Sequence, residues 1–111
     1  MAFLYVLKCK GDVLYTGIAK DIERRLAEHL QGGVKGAKFT RSHPPLEVAA
    51  LWQTADYRAA AKAECAVKKL SREEKEELIA SPERLEEICP VLVGLGFSPC
   101  SPLPRLKKEE K

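Results

Sequence analysis

The stretch Phe3-Leu4-Tyr5-Val6-Leu7 constrains the fold most, because it is apolar at every position and too short for more than one strand. Phe3, Tyr5, Leu7 and Cys9 alternate with Leu4, Val6 and Lys8, so a strand here is apolar on both faces for most of its length. Such a strand must be covered on both sides or lie centrally in its sheet. Lys10-Gly11-Asp12 is the turn, and Val13 to Ile18 is the return strand. With all three turn residues in the loop, Cys9 faces Val13 and Tyr5 faces Gly17. Tyr5 and Tyr15 then project from one face, since strand side chains repeat with period two. A two-residue loop would put them on opposite faces. Three-residue hairpin loops carrying a glycine are common, and they favour the first register.

Asp21 is placed to cap a helix running to about Leu30 or Gln31. Ile22, Leu26 and Leu30 form its buried stripe, with Arg25 and His29 stacked one turn apart along one border and Arg24 toward solvent. Gly32-Gly33 ends the helix. The prolines and glycines of the following segment, to Pro45, exclude regular structure. Leu46 to Thr54 reads as a third strand. From about Asp56 to Leu70 an alanine-rich helix buries Ala59, Ala63, Ala66, Val67 and Leu70, and Glu64 sits at the edge of that stripe. Ser71-Arg72-Glu73-Glu74 matches a capping box and opens a helix to about Ala80. Ser81-Pro82 caps and begins a short helix to about Ile88, with proline at the permitted first position.

Pro90 stops that helix, and the apolar run Val91 to Phe97 is expected to pack back on the body. Ser98 to Pro104 is proline-rich, and Arg105 to Lys111 is a mixed-charge tail expected to be mobile. The fold class is therefore α/β or α+β. It has a small three-stranded, mainly antiparallel sheet flanked by helices, in ββαβα order with extra C-terminal helices. The organisation expected is one folded domain over 1–89 and a C-terminal extension over 90–111, within 111 residues in all.

Apolar residues make up 45% of the chain and charged residues 32%, which excludes a disordered chain. Nineteen basic against 16 acidic side chains leave a net charge of only +3, so any polyanion binding depends on where the charges sit. None of the four cysteines, Cys9, Cys65, Cys89 and Cys100, forms a C-x-x-C pair, and the two histidines follow no zinc spacing. Reduced, structural thiols and a cytoplasmic location follow as expectations. The apolar start is too short for a signal peptide or a membrane span.

Together, Phe3-Leu4-Tyr5, Tyr15-Thr16-Gly17, Arg25-x-x-x-His29 and the later helical Glu64 resemble the GIY-YIG nuclease superfamily. The likeness is to its small single-domain bacterial branch and to structure-specific junction-resolving nucleases, which share the stretch reading here Gly36-Ala37-Lys38-x-Thr40-Arg41. It runs from about Phe3 to Ala80. Each motif alone is weak; the ordered set is specific. The first motif departs by reading Phe-Leu-Tyr instead of Gly-Ile-Tyr, and the second has threonine where isoleucine or valine is usual. The second domain or zinc module of the junction-resolving relatives is not expected here, which leaves the natural DNA structure open.

The resemblance implies metal-dependent hydrolysis of a phosphodiester. It makes Glu64 the ligand of one Mg²⁺ or Mn²⁺ and Tyr15 the tyrosine acting as, or beside, the general base. Arg25 stabilises charge on the phosphate, while Tyr5 and His29 position the reacting groups. The chemistry is compatible. Phosphoryl transfer needs positioning and charge neutralisation more than covalent steps, and a guanidinium meets two phosphate oxygens at once. A tyrosine of ordinary pKa, ~10, is a poor base near neutrality and needs a neighbouring cation. Lys35, Lys38, Thr40 and Arg41 are the expected nucleic-acid contacts. They offer phosphate binding without a means of reading bases. DNA is the expected partner, RNA the weaker option, with no membrane contact and with room for a partner protein that targets the substrate. The alternative is a non-catalytic nucleic-acid-binding module or nuclease subunit on the same fold.

Overall fold

A computed structural model describes residues 1–31 and 42–106. The first strand, β1 (Ala2–Cys9), pairs antiparallel with β2 (Val13–Ala19) on one side and with β3 (Pro45–Thr54) on the other. A two-residue strand, β4 (Ser98–Pro99), adds to the far side of β3, so the order is β2-β1-β3-β4. The doubly apolar strand is thus central, as its sequence requires.

Each face has its own cover. Leu4 and Val6 face Ala63 and Val67 of helix α2 (Tyr57–Lys68), together with Leu78 of α3 (Arg72–Ala80), Leu85 of α4 (Leu85–Ile88) and the buried Leu92. Tyr5, Leu7 and Cys9 face Leu26 of α1 (Ile22–Gln31). Strand β3 serves both faces; its pairing with β1 slips twice, between Lys8 and Cys9 and, with the larger consequence, between Val6 and Leu7. Val6 pairs with Ala50 and Leu7 with Val48, leaving Ala49 as an extra residue. The slip turns Val48 to the same side as Leu51, while Ala49 and Ala50 both join the other core.

The helix starts follow their capping chemistry. The Arg24 amide donates to Asp21 Oδ1 at 3.1 Å. The Ser71 hydroxyl accepts from the Glu74 amide while the Glu74 carboxylate accepts from the Ser71 amide, completing the capping box.

Two expectations are corrected. The sheet has four strands, not three: Ser98 and Pro99 pair with Gln53 and Trp52, and the Cys100 amide donates to the Leu51 carbonyl at 2.8 Å. A proline is tolerated there because β4 is an edge strand with no further partner to donate to. The single helix expected over 81–88 is instead a 3₁₀ turn, Pro82–Arg84, followed by α4, and Ser81 makes no side-chain cap. The Pro82 carbonyl takes the Trp52 indole N–H at 2.8 Å together with the Leu85 amide, which ties this turn to the core beneath it.

Leu92 is fully buried and Leu95 and Phe97 pack against the same core, so the run after Pro90 does return to the body. All four cysteines are free; Cys9 and Cys89 are buried, but Cys65 is exposed on α2. Among the described residues no helix is long and apolar enough to cross a membrane.

Candidate active site

The hairpin sets the first part of the site. Its turn takes left-handed conformations at Gly11 (φ 90°) and Asp12 (φ 58°), and the register pairs Cys9 with Val13 and Tyr5 with Gly17. Tyr5 and Tyr15 therefore share a face, with ring centroids 6.4 Å apart. Gly17 is the reason Tyr5 can lie where it does. A Cβ at that position would sit 2.5 Å from the Tyr5 oxygen and 2.6 Å from Cζ, so the ring crosses the β2 backbone where a side chain would otherwise stand.

Helix α1 supplies the second part. His29 is 1% exposed, not at a border as the helical wheel suggested. Ile22, Leu26 and His29 follow an i, i+4, i+7 pattern, so histidine takes the third place in the buried stripe ahead of Leu30. It can do so because its ring is satisfied. The Tyr5 hydroxyl and His29 Nε2 lie 2.7 Å apart, and the imidazole sits edge-on to both tyrosines, 5.7 Å from Tyr5 and 5.3 Å from Tyr15.

The Arg25 guanidinium lies close enough to the Tyr5 hydroxyl to favour its ionised form. A protonated phenol can donate to Nε2. In that arrangement a neutral His29 carries its proton on Nδ1.

The electrostatics agree with that assignment. Burial, and then Tyr15, push the Tyr5 phenol far above the usual tyrosine range, against the pull of Arg25; Glu64 adds a smaller push upward. Tyr5 therefore keeps its proton at any physiological pH. Burial, and then the charge of Arg25, hold His29 down at about 4, so the ring is neutral near pH 7. Burial works against the charge of Arg25, but the hydrogen bonds to Glu28 and Tyr5 outweigh it and raise its pKa.

Glu28 is the functional residue that sequence reasoning passed over. Its Oε1 holds Arg25 Nη1 at 2.9 Å and its Oε2 meets Arg24 Nε at 3.5 Å, so it anchors the arginine from behind. Three- and four-residue spacings from Glu28 back to two arginines were the available signal.

Glu64 comes from α2, across the sheet from α1. Its carboxylate pairs with Lys68 at 3.2 Å and is half-buried, yet its charge reaches the Tyr5 phenol. The structure thus gathers Tyr5, Tyr15, Arg25 and His29 into one cluster, with Glu64 bearing on it from the second helix. Lys35, Lys38, Thr40 and Arg41, expected as nucleic-acid contacts, lie outside the described residues. Among those described, no three His, Cys, Asp or Glu side chains group as a metal site. A single carboxylate is nonetheless a donor set suited to Mg²⁺ or Mn²⁺, which keep several waters and draw further ligands from a substrate phosphate.

Residues 1–77 match the model of the GIY-YIG catalytic domain. A UPF0213 protein of Cupriavidus necator is 48% identical over 73 residues, covering 66% of this chain and 77% of its own length. One from Halalkalibacterium halodurans is 40% identical over 78 residues, covering 70% and 81% respectively. Among solved structures, the solution NMR structure of a UPF0213 protein from Bacillus halodurans is 37% identical. It matches with a TM-score of 0.48, over 77% of this chain and 93% of that one.

Proposed function

The chain belongs to the GIY-YIG catalytic domain family, and from that premise we propose that it is a metal-dependent endonuclease. It hydrolyses phosphodiester bonds in DNA, directed by the shape of the substrate with little sequence specificity. The observation that carries the reading is the Tyr5–His29 hydrogen bond, with the Tyr15 ring edge-on to the imidazole and the Arg25 charge beside them. A folded scaffold has no need to bury a neutral histidine between two phenols and an arginine.

The two tyrosines divide the work by burial. Tyr5 is sealed and holds its proton, so it is a positioning group that fixes Arg25 and His29. Tyr15 is only half-buried, so of the two phenols it is the one nearer solvent. It acts as, or beside, the general base, helped by the neighbouring guanidinium. Arg25, held by Glu28, presents its guanidinium to the phosphate and stabilises charge as it builds on the phosphoryl oxygens. Glu64 would hold Mg²⁺ or Mn²⁺; such an ion, when bound, neutralises phosphate charge and acts as a Lewis acid.

Purified protein is incubated with branched, nicked and single-stranded DNA and with RNA, with and without Mn²⁺. The proposal expects cutting that needs the ion and vanishes in Glu64→Ala. Equal background cutting by wild type and Glu64→Ala removes the enzyme reading, and binding retained in that case favours a non-catalytic nucleic-acid module.

A further inference from the structure

Where β2 ends and α2 begins, a partly exposed aromatic ring carries a cation over it. Tyr57, the first residue of α2, is 44% exposed, and the Lys20 ammonium lies 5.2 Å from its ring centroid. Lys20 directly follows β2. The contact therefore links the end of the strand that carries Tyr15 and Gly17 to the start of the helix that carries Glu64.

Both elements measure the same offset from the site. Three residues of strand separate Gly17 from Lys20, about 10 Å at ~3.3 Å per residue. Seven residues of helix separate Glu64 from Tyr57, about 10 Å at 1.5 Å per residue. At 100° per residue, Tyr57 and Glu64 lie within about 20° of each other, on one stripe of α2. Between them on that stripe the helix carries only small side chains, the buried Ala60 and the exposed Ala61. Tyr57 does not cap α2, since Asp56 already does, and it keeps nearly half of its surface in solvent.

We propose that Tyr57 and Lys20 form a stacking platform for an unpaired nucleobase within about three stacked nucleotides of the scissile phosphate, at ~3.4 Å per step. The inference rests on the nuclease reading and names its substrate class: DNA with an unpaired strand at the cut, such as a flap, fork or single strand. A base inside a duplex has both faces covered by its neighbours, so only an unpaired one can lie on the open face of the ring. Lys20, held on the other face, strengthens the stack through the ring's quadrupole and offers its N–H groups to the adjoining phosphate.

The test is binding without cutting, in EDTA, using single strands that carry a fluorescent adenine analogue at successive positions and the corresponding full duplex. Wild type should quench the analogue at a restricted position in the single strand and not in the duplex. Tyr57→Ala should lose that quench and bind the single strand about 5- to 100-fold more weakly, with duplex affinity unchanged. Tyr57→Phe should keep both. Tyr57→Leu, which keeps apolar bulk without a ring, should behave as alanine does and so separate stacking from packing. If Tyr57→Ala or Tyr57→Leu quenches and binds as wild type while Mn²⁺-dependent cutting persists, the platform is wrong and the nuclease reading stands. If wild type binds no oligonucleotide, both are wrong.

Discussion

Gly17→Ala tests whether the site is built on the close crossing of Tyr5 over β2. The new methyl would fall 2.5 Å from the phenol oxygen, 2.6 Å from Cζ and 3.0 Å from Cε1. Those atoms cannot swing aside at little cost, because Tyr5 is 1% exposed and its oxygen is tied to His29 at 2.7 Å. Overpacking of this kind costs about 1–3 kcal/mol. Pulling the phenol off Nε2 strands a buried acceptor at about 1–3 kcal/mol more. Against this, alanine restricts the unfolded chain and returns about 0.4–1 kcal/mol. A net loss of about 1–5.5 kcal/mol is expected.

The discriminating measurement repeats the substitution in a Tyr5→Leu background. Leucine lacks all three clashing atoms, so only the gain from restricting the unfolded chain remains. Gly17→Ala should then stabilise by about 0.4–1 kcal/mol, a reversal of sign. Urea unfolding followed through Trp52, the single tryptophan and fully buried, gives the four stabilities. A Gly17→Ala protein within about 0.5 kcal/mol of wild type, or one that loses the same stability in both backgrounds, would refute the reasoning.

Stability should fall with acid because His29 is held at about 4 when folded and returns to 6.5 when unfolded. The unfolded chain binds the extra proton first, so the stabilisation is complete above pH 6.5 and is lost on going down toward pH 4. The loss amounts to about 3 kcal/mol; urea midpoints against pH should show the slope in wild type and lose it in His29→Gln. Glu28→Gln should loosen Arg25 and lower kcat about 10- to 100-fold with KM nearly unchanged, and unchanged kcat would remove its anchoring role. Ser71→Ala opens the capping box of α3 and should cost about 1 kcal/mol, read as a Tm lower by about 4–5 °C in a thermal melt.

Much of this fold is legible locally. The two-faced apolar strand, the three-residue turn and the period-two rule together put Tyr5 opposite Gly17 and on the same face as Tyr15, and the strand pairing has that register. The Asp21 cap and the Ser71 capping box are local hydrogen-bond patterns, readable because donor and acceptor lie within three residues. Strand β4 was not readable. Ser98 and Pro99 have no strand character of their own and become a strand only because the β3 edge offers unpaired backbone groups beside them.

His29 marks the boundary between the two kinds of information. Helical spacing set it one turn beyond Arg25, but polarity argued for a border position. Only a phenol arriving from a strand 24 residues earlier offsets the burial, by hydrogen-bonding the ring nitrogen. The sequence alone determined which side chains can meet, through strand alternation, helix period and turn length. The tertiary structure decided their ionisation: burial depth and the nearness of Arg25 keep Tyr5 protonated and His29 neutral, because desolvation and charge depend on neighbours that the chain brings together only on folding.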